Sequence, residues 1–222
     1  LGPGERAFYE AQRLKSLEDI DSAGRDKRMR ILAEIMRLRR ASCNPALICP
    51  ELGLPSAKLE KLMDLVSDLR AGGHRALIFS QFVDHLFLIR ARLDETGIVY
   101  RYLDGSTPLA KRKQEVDAFQ DGEGEFFLIS LKAGGLGLNL TAADYVVHMD
   151  PWWNPATEDQ ASDRAHRIGQ TRPVTVYRLV AKDTIEEKIL DLHRRKRGLA
   201  DSLIEGGGEM QKLDLDELVA IL

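Results

Sequence analysis

The sequence predicts an α/β protein, a parallel sheet with helices on both faces and helical extensions at its amino and carboxyl ends. Over the middle of the chain short apolar runs alternate with amphipathic stretches, the order expected when parallel strands are joined by helical crossovers. From Glu5 to about Arg40 the chain is instead charged and helically periodic, which sets a helical start ahead of the sheet. At 222 residues the chain is long enough to bury one sizeable core with a small helical appendage.

Each element has its own signal. Leu14, Leu17, Ile31, Leu32, Ile35 and Leu38 recur at helical spacing with Gly24 as a break, which predicts two helices. Asn44 to Pro55 carries three prolines and is expected as an extended connector. Ser56 reads as the N-cap of a helix through Leu59, Leu62, Leu65, Val66 and Leu69, closed by Gly72 and Gly73. Strands are expected at Ala76–Phe79, Val99–Leu103, Phe126–Ile129, Tyr145–His148 and Val174–Leu179. Helices fall near Val83–Thr96, Leu109–Gln120, Thr157–His166 and Thr184–Leu203. A glycine-rich break at Gly206–Gly208 precedes a short peripheral helix, Asp214–Leu222. No internal repeat is seen.

Composition narrows the function classes. A formal charge of −3 gives no global basic field, so contact with nucleic acid has to come from local patches. Cys43 and Cys49 are the only cysteines, neither at metal-ligand spacing, and both are expected as inert thiols with no metal site. No apolar run approaches the roughly 20 residues of a membrane span, and a soluble, intracellular protein in a reducing compartment is expected.

The most informative stretch is Asp159 to Gln170, DQASDRAHRIGQ. A helix there would place Gln160, Arg164 and Arg167 on one face, where two guanidinium forks and an amide can converge on an anion. The most demanding such anion is the γ-phosphate of a nucleotide. The alternative is a solvated face on which Arg164 and Arg167 pair with Asp159 and Asp163. The loop from Ile129 to Asp144 is rich in glycine, which lets backbone amides approach a phosphate or sugar, although Gly134 and Gly135 would equally serve a tight turn. Met149 to Pro155 sets Trp152 and Trp153 between prolines; in an extended segment one can enter the core while the other faces out. His148 and His166 lack a partner at catalytic spacing and are read as packing or hydrogen-bonding residues. The run from His193 to Arg197, HRRKR, fits a DNA-facing basic patch or a localisation signal, but a charged helix face is the commoner meaning of such a run.

Together these residues resemble a known family. ALIFSQF (Ala76–Phe82), YLDGST (Tyr102–Thr107), AGGLGLNL (Ala133–Leu140), DPWWNP (Asp150–Pro155) and DRAHRIGQ (Asp163–Gln170) are similar to the carboxyl-terminal motor lobe of Swi/Snf-family ATPases, superfamily-two translocases of double-stranded DNA. The resemblance implies a RecA-like second motor lobe at residues 56–182, preceded by a helical inter-lobe segment and linker at 1–55 and followed by bracing helices at 183–222. It implies that Arg164 and Arg167 are fingers reaching ATP, with Gln160 orienting them or contacting the phosphate side of the cleft, and that Gly135 and Gly137 shape the loop coupling nucleotide to DNA. It implies a DNA track of Ser80, Gln81, Gly105, Ser106, Thr107, Ser130, Lys132 and Trp153. One departure is clear: the family's serine-threonine-arginine before AGG is Ser130-Leu131-Lys132 here, which removes a hydroxyl and exchanges a forked guanidinium for an ammonium.

The chain contains no GxxxxGK[ST] and no DExH box, the elements that cradle phosphate and hold magnesium. The expectation is therefore one half of a motor, inactive alone, with ATP and Mg2+ held mainly by a first lobe of the same polypeptide. Double-stranded DNA is the expected partner, a DNA-bound protein such as RNA polymerase a further candidate, and no membrane is involved. The place is the bacterial cytoplasm on DNA, or the nucleus if the source is eukaryotic. Two alternatives stay open: a non-catalytic module binding nucleic acid or protein, and an RNA-directed helicase lobe.

Overall fold

Two groups of residues cluster in the computed structural model: Leu59–Leu179 form one unit, and Leu1–Lys58 with Val180–Leu222 form the other. The structure describes residues 1–21, 27–133, 138–167, 169–200 and 215–222. The break at Gly24, the Gly206–Gly208 segment and Asp214 lie outside them.

The unit Leu59–Leu179 is built on five strands, β1 (Ala76–Ser80), β2 (Tyr100–Leu103), β3 (Phe126–Ser130), β4 (Tyr145–His148) and β5 (Thr175–Arg178). They lie in the order β2-β3-β1-β4-β5 with every pairing parallel, as expected for strands joined by helices. The apolar runs of the inner strands β1, β3 and β4 are continuous because both sheet faces are covered there, while the edge strands β2 and β5 are more exposed. Ile78, Phe126, Leu128 and Val147 join one apolar layer with Leu62, Val66, Leu86, Ile89 and Leu93, residues of α3 (Ala57–Ala71) and α4 (Val83–Glu95). Their strand neighbours Leu77, Phe79, Phe127, Ile129 and Val146 join the other layer with Phe119 and Ala161, contributed by α5 (Leu109–Gln120) and α6 (Pro155–Ser162). One residue of offset along a strand thus assigns each side chain to its layer.

Helix α3 ends as its glycines imply. Gly73 takes a φ of 69°, and the N–H of His74 returns to the carbonyl of Leu69 at 2.9 Å, a closure that only a left-handed residue permits. The connector departs from expectation. Between Asn44 and Pro55 the chain is not simply extended but makes two 3-10 turns, Pro45–Leu47 and Pro50–Leu52. The reason is the prolines themselves, since each opens a turn where its fixed φ is already helical and its missing N–H costs nothing. The Asn44 side chain caps the first turn by accepting from the N–H of Ala46 at 3.0 Å.

In the second unit α1 (Pro3–Asp21), α2 (Lys27–Cys43), α7 (Ile185–Ala200) and α8 (Leu215–Ala220) come together. Ile31, Ile35 and Leu38 of α2 are fully buried, and α2 packs on α1, α7 and α8. The Tyr9 hydroxyl accepts from the N–H of Ile185 at 2.8 Å, and burial pushes its phenol pKa up to about 12. A buried ion pair sits here too: Lys58 Nζ lies 2.6 Å from both carboxylate oxygens of Glu186, which also accept from the N–H of Ala181 at 2.8 Å. Among the described residues no helix is long and apolar enough to cross a membrane.

Candidate functional site

Parallel strands send all their following loops to one edge of the sheet, and there the expected track residues fall. Ser80 and Ser130 are register partners at the ends of β1 and β3. Both are buried, at 0% and 1% exposure, and both hydroxyls are used inside the fold. Ser80 Oγ donates to Asp150 Oδ2 at 2.5 Å and accepts from the N–H of Phe82 at 3.1 Å; Ser130 Oγ accepts from the N–H of Ala133 at 3.3 Å. The outer edge is presented instead by half-buried Gln81 and exposed Lys132. Gln81 donates its N–H to Asp150 at 3.3 Å, and its buried side-chain nitrogen has no hydrogen-bond partner among the described residues. Leu131, where the resemblance implied a hydroxyl, is 4% exposed and packs in the α5 and α6 layer.

The loop after β2 is organised by Asp104. Its Oδ1 accepts from the N–H of Ser106 at 2.8 Å, from the Ser106 hydroxyl at 2.7 Å and from the N–H of Thr107 at 3.1 Å, while Oδ2 accepts from Tyr102 at 2.7 Å. Burial pushes this carboxyl up, but the bonds from Ser106, Tyr102 and Thr107 outweigh it and hold the pKa below the usual carboxylate range. Arg112 donates to the carbonyls of Thr107 at 2.6 Å and Gly105 at 3.0 Å. Gly105 and Ser106 are therefore held outward on a loop fixed from beneath. Asp104 and Asp150 are the hubs that sequence reading passed over, although an aspartate ahead of Gly-Ser is a side-chain-to-backbone turn signal. Gly134, Gly135 and Gly137 lie outside the described residues.

The loop after β4 leads to the arginines. Trp152 packs on the α5 and α6 layer, and Trp153 is half-buried. Asn154 caps α6 by accepting from the N–H of Ala156 at 2.9 Å, with Pro155 in the first turn. The expected helix through His166 ends earlier, at Ser162. Beyond Ala161 the ladder tightens, with bonds from Arg164 to Ala161 at 3.4 Å and from Ala165 to Ser162 at 3.1 Å, and the next carbonyls leave the helix. That of Arg164 accepts from the N–H of Leu140 at 3.0 Å, and that of Ala165 from Gln170 Nε2 at 3.2 Å. Gln160 is consequently exposed on α6 while Arg164 and Arg167 sit on the following turn, so the three do not share one helical face.

The two arginines differ. Arg167 is exposed, whereas Arg164 is 5% exposed and its Nε and Nη1 have no hydrogen-bond partner among the described residues. Burial, and then the charge of Arg167, push the Arg164 pKa down. A buried cation without a carboxylate is costly, and an entering anion would offset that cost.

His148 is buried beneath the same helix, with Nε2 2.9 Å from Ser162 Oγ and the ring stacked on Phe79 at 5.6 Å. Burial lowers its pKa from 6.5 to about 4, with Glu158 pulling the other way. The unfolded chain therefore binds an extra proton between those two values, and stability is full above about pH 6.5 and falls as the pH drops to about 4. The loss is on the order of 3 kcal/mol. Thermal melts across this range should show a flatter profile for His148→Gln than for the wild type; equal slopes would refute the assignment.

Residues 57–169 match the helicase conserved C-terminal domain family. The chain belongs to this family. Its helicase C-terminal domain is of the SWI2/SNF2 type: the chain is 49% identical over 150 residues to the chromatin-remodeling ATPase INO80 of Cryptococcus neoformans var. neoformans serotype D, covering 67% of this chain and 8% of that protein. It is 40% identical over 225 residues to the putative ATP-dependent helicase/translocase YwqA of Bacillus subtilis, covering 98% of this chain and 24% of that one. Among solved structures, the Sulfolobus solfataricus SWI2/SNF2 ATPase core in complex with dsDNA is 33% identical with a TM-score of 0.81, covering 100% of this chain and 48% of that one. The helicase C-terminal domain thus has the RecA-like fold of a SWI2/SNF2 carboxyl-terminal lobe, and the chain spans about a quarter or less of these two curated relatives.

Proposed function

We propose that this chain is the carboxyl-terminal lobe of an ATP-dependent translocase or remodeller of double-stranded DNA, supplying arginine fingers and half of a DNA track, and that it does not hydrolyse ATP without a first lobe. The observation that carries the reading is the turn after α6, where the buried guanidinium of Arg164 lacks an anion partner among the described residues beside the exposed Arg167. A nucleotide γ-phosphate presented by another lobe fits this pair, because phosphoryl transfer is catalysed chiefly by cations placed on developing charge. Gln160, exposed on α6, would orient the fingers, and Gly135 and Gly137 would couple nucleotide to DNA. ATP and Mg2+ would be held mainly by the first lobe.

On the DNA side, Gln81, Gly105, Ser106, Thr107, Lys132 and Trp153 supply the track, with Ser80 and Ser130 shaping its loops from below. Such groups contact phosphates and shape, so binding is sequence-tolerant and salt-dependent. The similarity to a Sulfolobus solfataricus SWI2/SNF2 ATPase core solved in complex with dsDNA supports DNA as the partner. A DNA-bound protein such as RNA polymerase remains a candidate partner, with the bacterial cytoplasm or the nucleus as the place of action.

The test compares DNA-stimulated ATP hydrolysis by this chain and by a polypeptide carrying both lobes. The chain alone is expected to be silent, and the longer polypeptide active and DNA-dependent. Turnover by the isolated chain, or indifference to DNA in the longer one, would overturn the proposal. Stronger stimulation by RNA duplex would favour an RNA-directed helicase.

A further inference from the structure

Helix α6 joins two parts of the site: the two-tryptophan loop enters it and the arginine turn leaves it. At eight residues it is about 12 Å long, short enough to move as a rod. What holds the rod is a buried carboxylate at its middle. Glu158 is 1% exposed; its Oε1 accepts from the N–H of Trp152 at 2.6 Å and its Oε2 from Arg178 Nε at 2.8 Å. Arg178 comes from β5 and also reaches Asp159 at 3.6 Å. The backbone carbonyl of Glu158 accepts from the Ser162 hydroxyl at 3.1 Å, and Ser162 meets His148 of β4. One residue therefore ties the loop, the helix and the edge strand together.

We infer that Glu158 and Arg178 are positioning residues that lock the Trp152–Trp153 loop and the arginine turn into a fixed relation through α6, so that occupancy at the loop is felt at the arginines. The inference rests on the reading given under Proposed function. Only the carboxylate is buried, with side-chain exposures of 2% for Glu158 and 36% for Arg178, and a pair open to solvent on one side contributes little to stability by itself. What it adds is direction: one Glu158 oxygen is fixed by the N–H of Trp152 and the other by Arg178 Nε, while Arg178 Nη2 faces Asp159.

The chain carries its own reporter, since its two tryptophans are both in this loop. In the 222-residue chain, Glu158→Gln should shift tryptophan emission and raise acrylamide quenching, and Arg178→Lys should lie nearer the wild type. In a polypeptide carrying both lobes, Glu158→Gln should lower DNA-stimulated kcat on the order of tenfold, the scale of a small misplacement of catalytic groups, with the KM for ATP changed less than about twofold, and Arg178→Lys should keep more of the rate. The neutral pair Glu158→Gln/Arg178→Met leaves neither charge without its partner, and it should show the same loss. Wild-type emission and kcat in that folded double variant would overturn the inference, as would a loss of rate fully explained by a lower melting temperature. If Arg167→Ala abolishes turnover while the Glu158 variants behave as wild type, the positioning inference alone fails; if Arg167→Ala is harmless, the motor reading fails.

Discussion

Arg167→Ala, made in a polypeptide that carries both lobes, is expected to lower DNA-stimulated ATP hydrolysis about a thousandfold, the lower end of what an arginine finger contributes. Arg167 is the exposed member of the pair and so the one able to leave its own lobe for a phosphate. Its removal deletes charge stabilisation that exists only when the terminal phosphoryl group is in transit, so kcat should fall far more than nucleotide affinity. Lysine at the same position should recover little, because an ammonium cannot reproduce a planar fork against phosphate oxygens. Arg164→Ala should cost turnover as well and lower stability less than an ordinary core truncation, since it removes a buried charge with nitrogens that lack partners among the described residues. The measurement is steady-state hydrolysis at saturating DNA and ATP, with near-ultraviolet circular dichroism to show that each variant is folded. An unchanged rate in Arg167→Ala would make the turn structural and bring forward a non-catalytic module that binds nucleic acid or protein.

The second large effect concerns stability. Lys58→Met leaves Glu186 buried and without its cation, and should destabilise the chain by about 3–5 kcal/mol. At roughly 2–4 °C per kcal/mol for a protein of this size, the melting temperature should fall by on the order of 10 °C. The pair is nearly inaccessible, with side-chain exposures of 4% and 1%, so solvent cannot screen the loss. Lys58→Met/Glu186→Leu should recover much of the deficit, because both charges are then gone. Recovery should stop short of wild type, since the N–H of Ala181 and the hydroxyl of Ser42 also donate to this carboxylate, at 2.8 Å and 3.3 Å, and would lose their acceptor. Calorimetry on the single and double variants measures the cycle. A double variant as unstable as Lys58→Met would show that the ion pair is not the source of the effect.

The strands were legible because their signal is local and redundant. Burial on both faces requires unbroken apolar runs, and Ala76–Ser80, Phe126–Ser130 and Tyr145–His148 carry them, so expected and observed limits differ by at most a residue at each end. Helix limits set by glycine or proline, such as those of α3 and α5, were legible for the same reason. The extent of α6 was not. Nothing in DQASDRAHRIGQ itself forbids another helical turn; the carbonyls of Arg164 and Ala165 are drawn off by Leu140 and Gln170, and those partners exist only once the chain has folded.

The site shows the same division. Residue types and their order pointed to the glycine loop, the tryptophans and the arginines, since few chemistries need glycines, indoles and guanidinium groups in that order. The sequence by itself determined the parallel sheet, the loops that follow its strands and the family, all of which follow from periodicity and short motifs. The tertiary structure alone decided that Ser80 and Ser130 are consumed inside the fold, that Arg164 is buried while Arg167 is exposed, and that Asp104, Asp150 and Glu158 are the hubs beneath them. It also decided that the two ends of the chain build one unit, with Lys58 paired to Glu186. Burial and hydrogen-bond partnership are relations between distant residues, and a carboxylate in the sequence carries no mark of the donor it will meet.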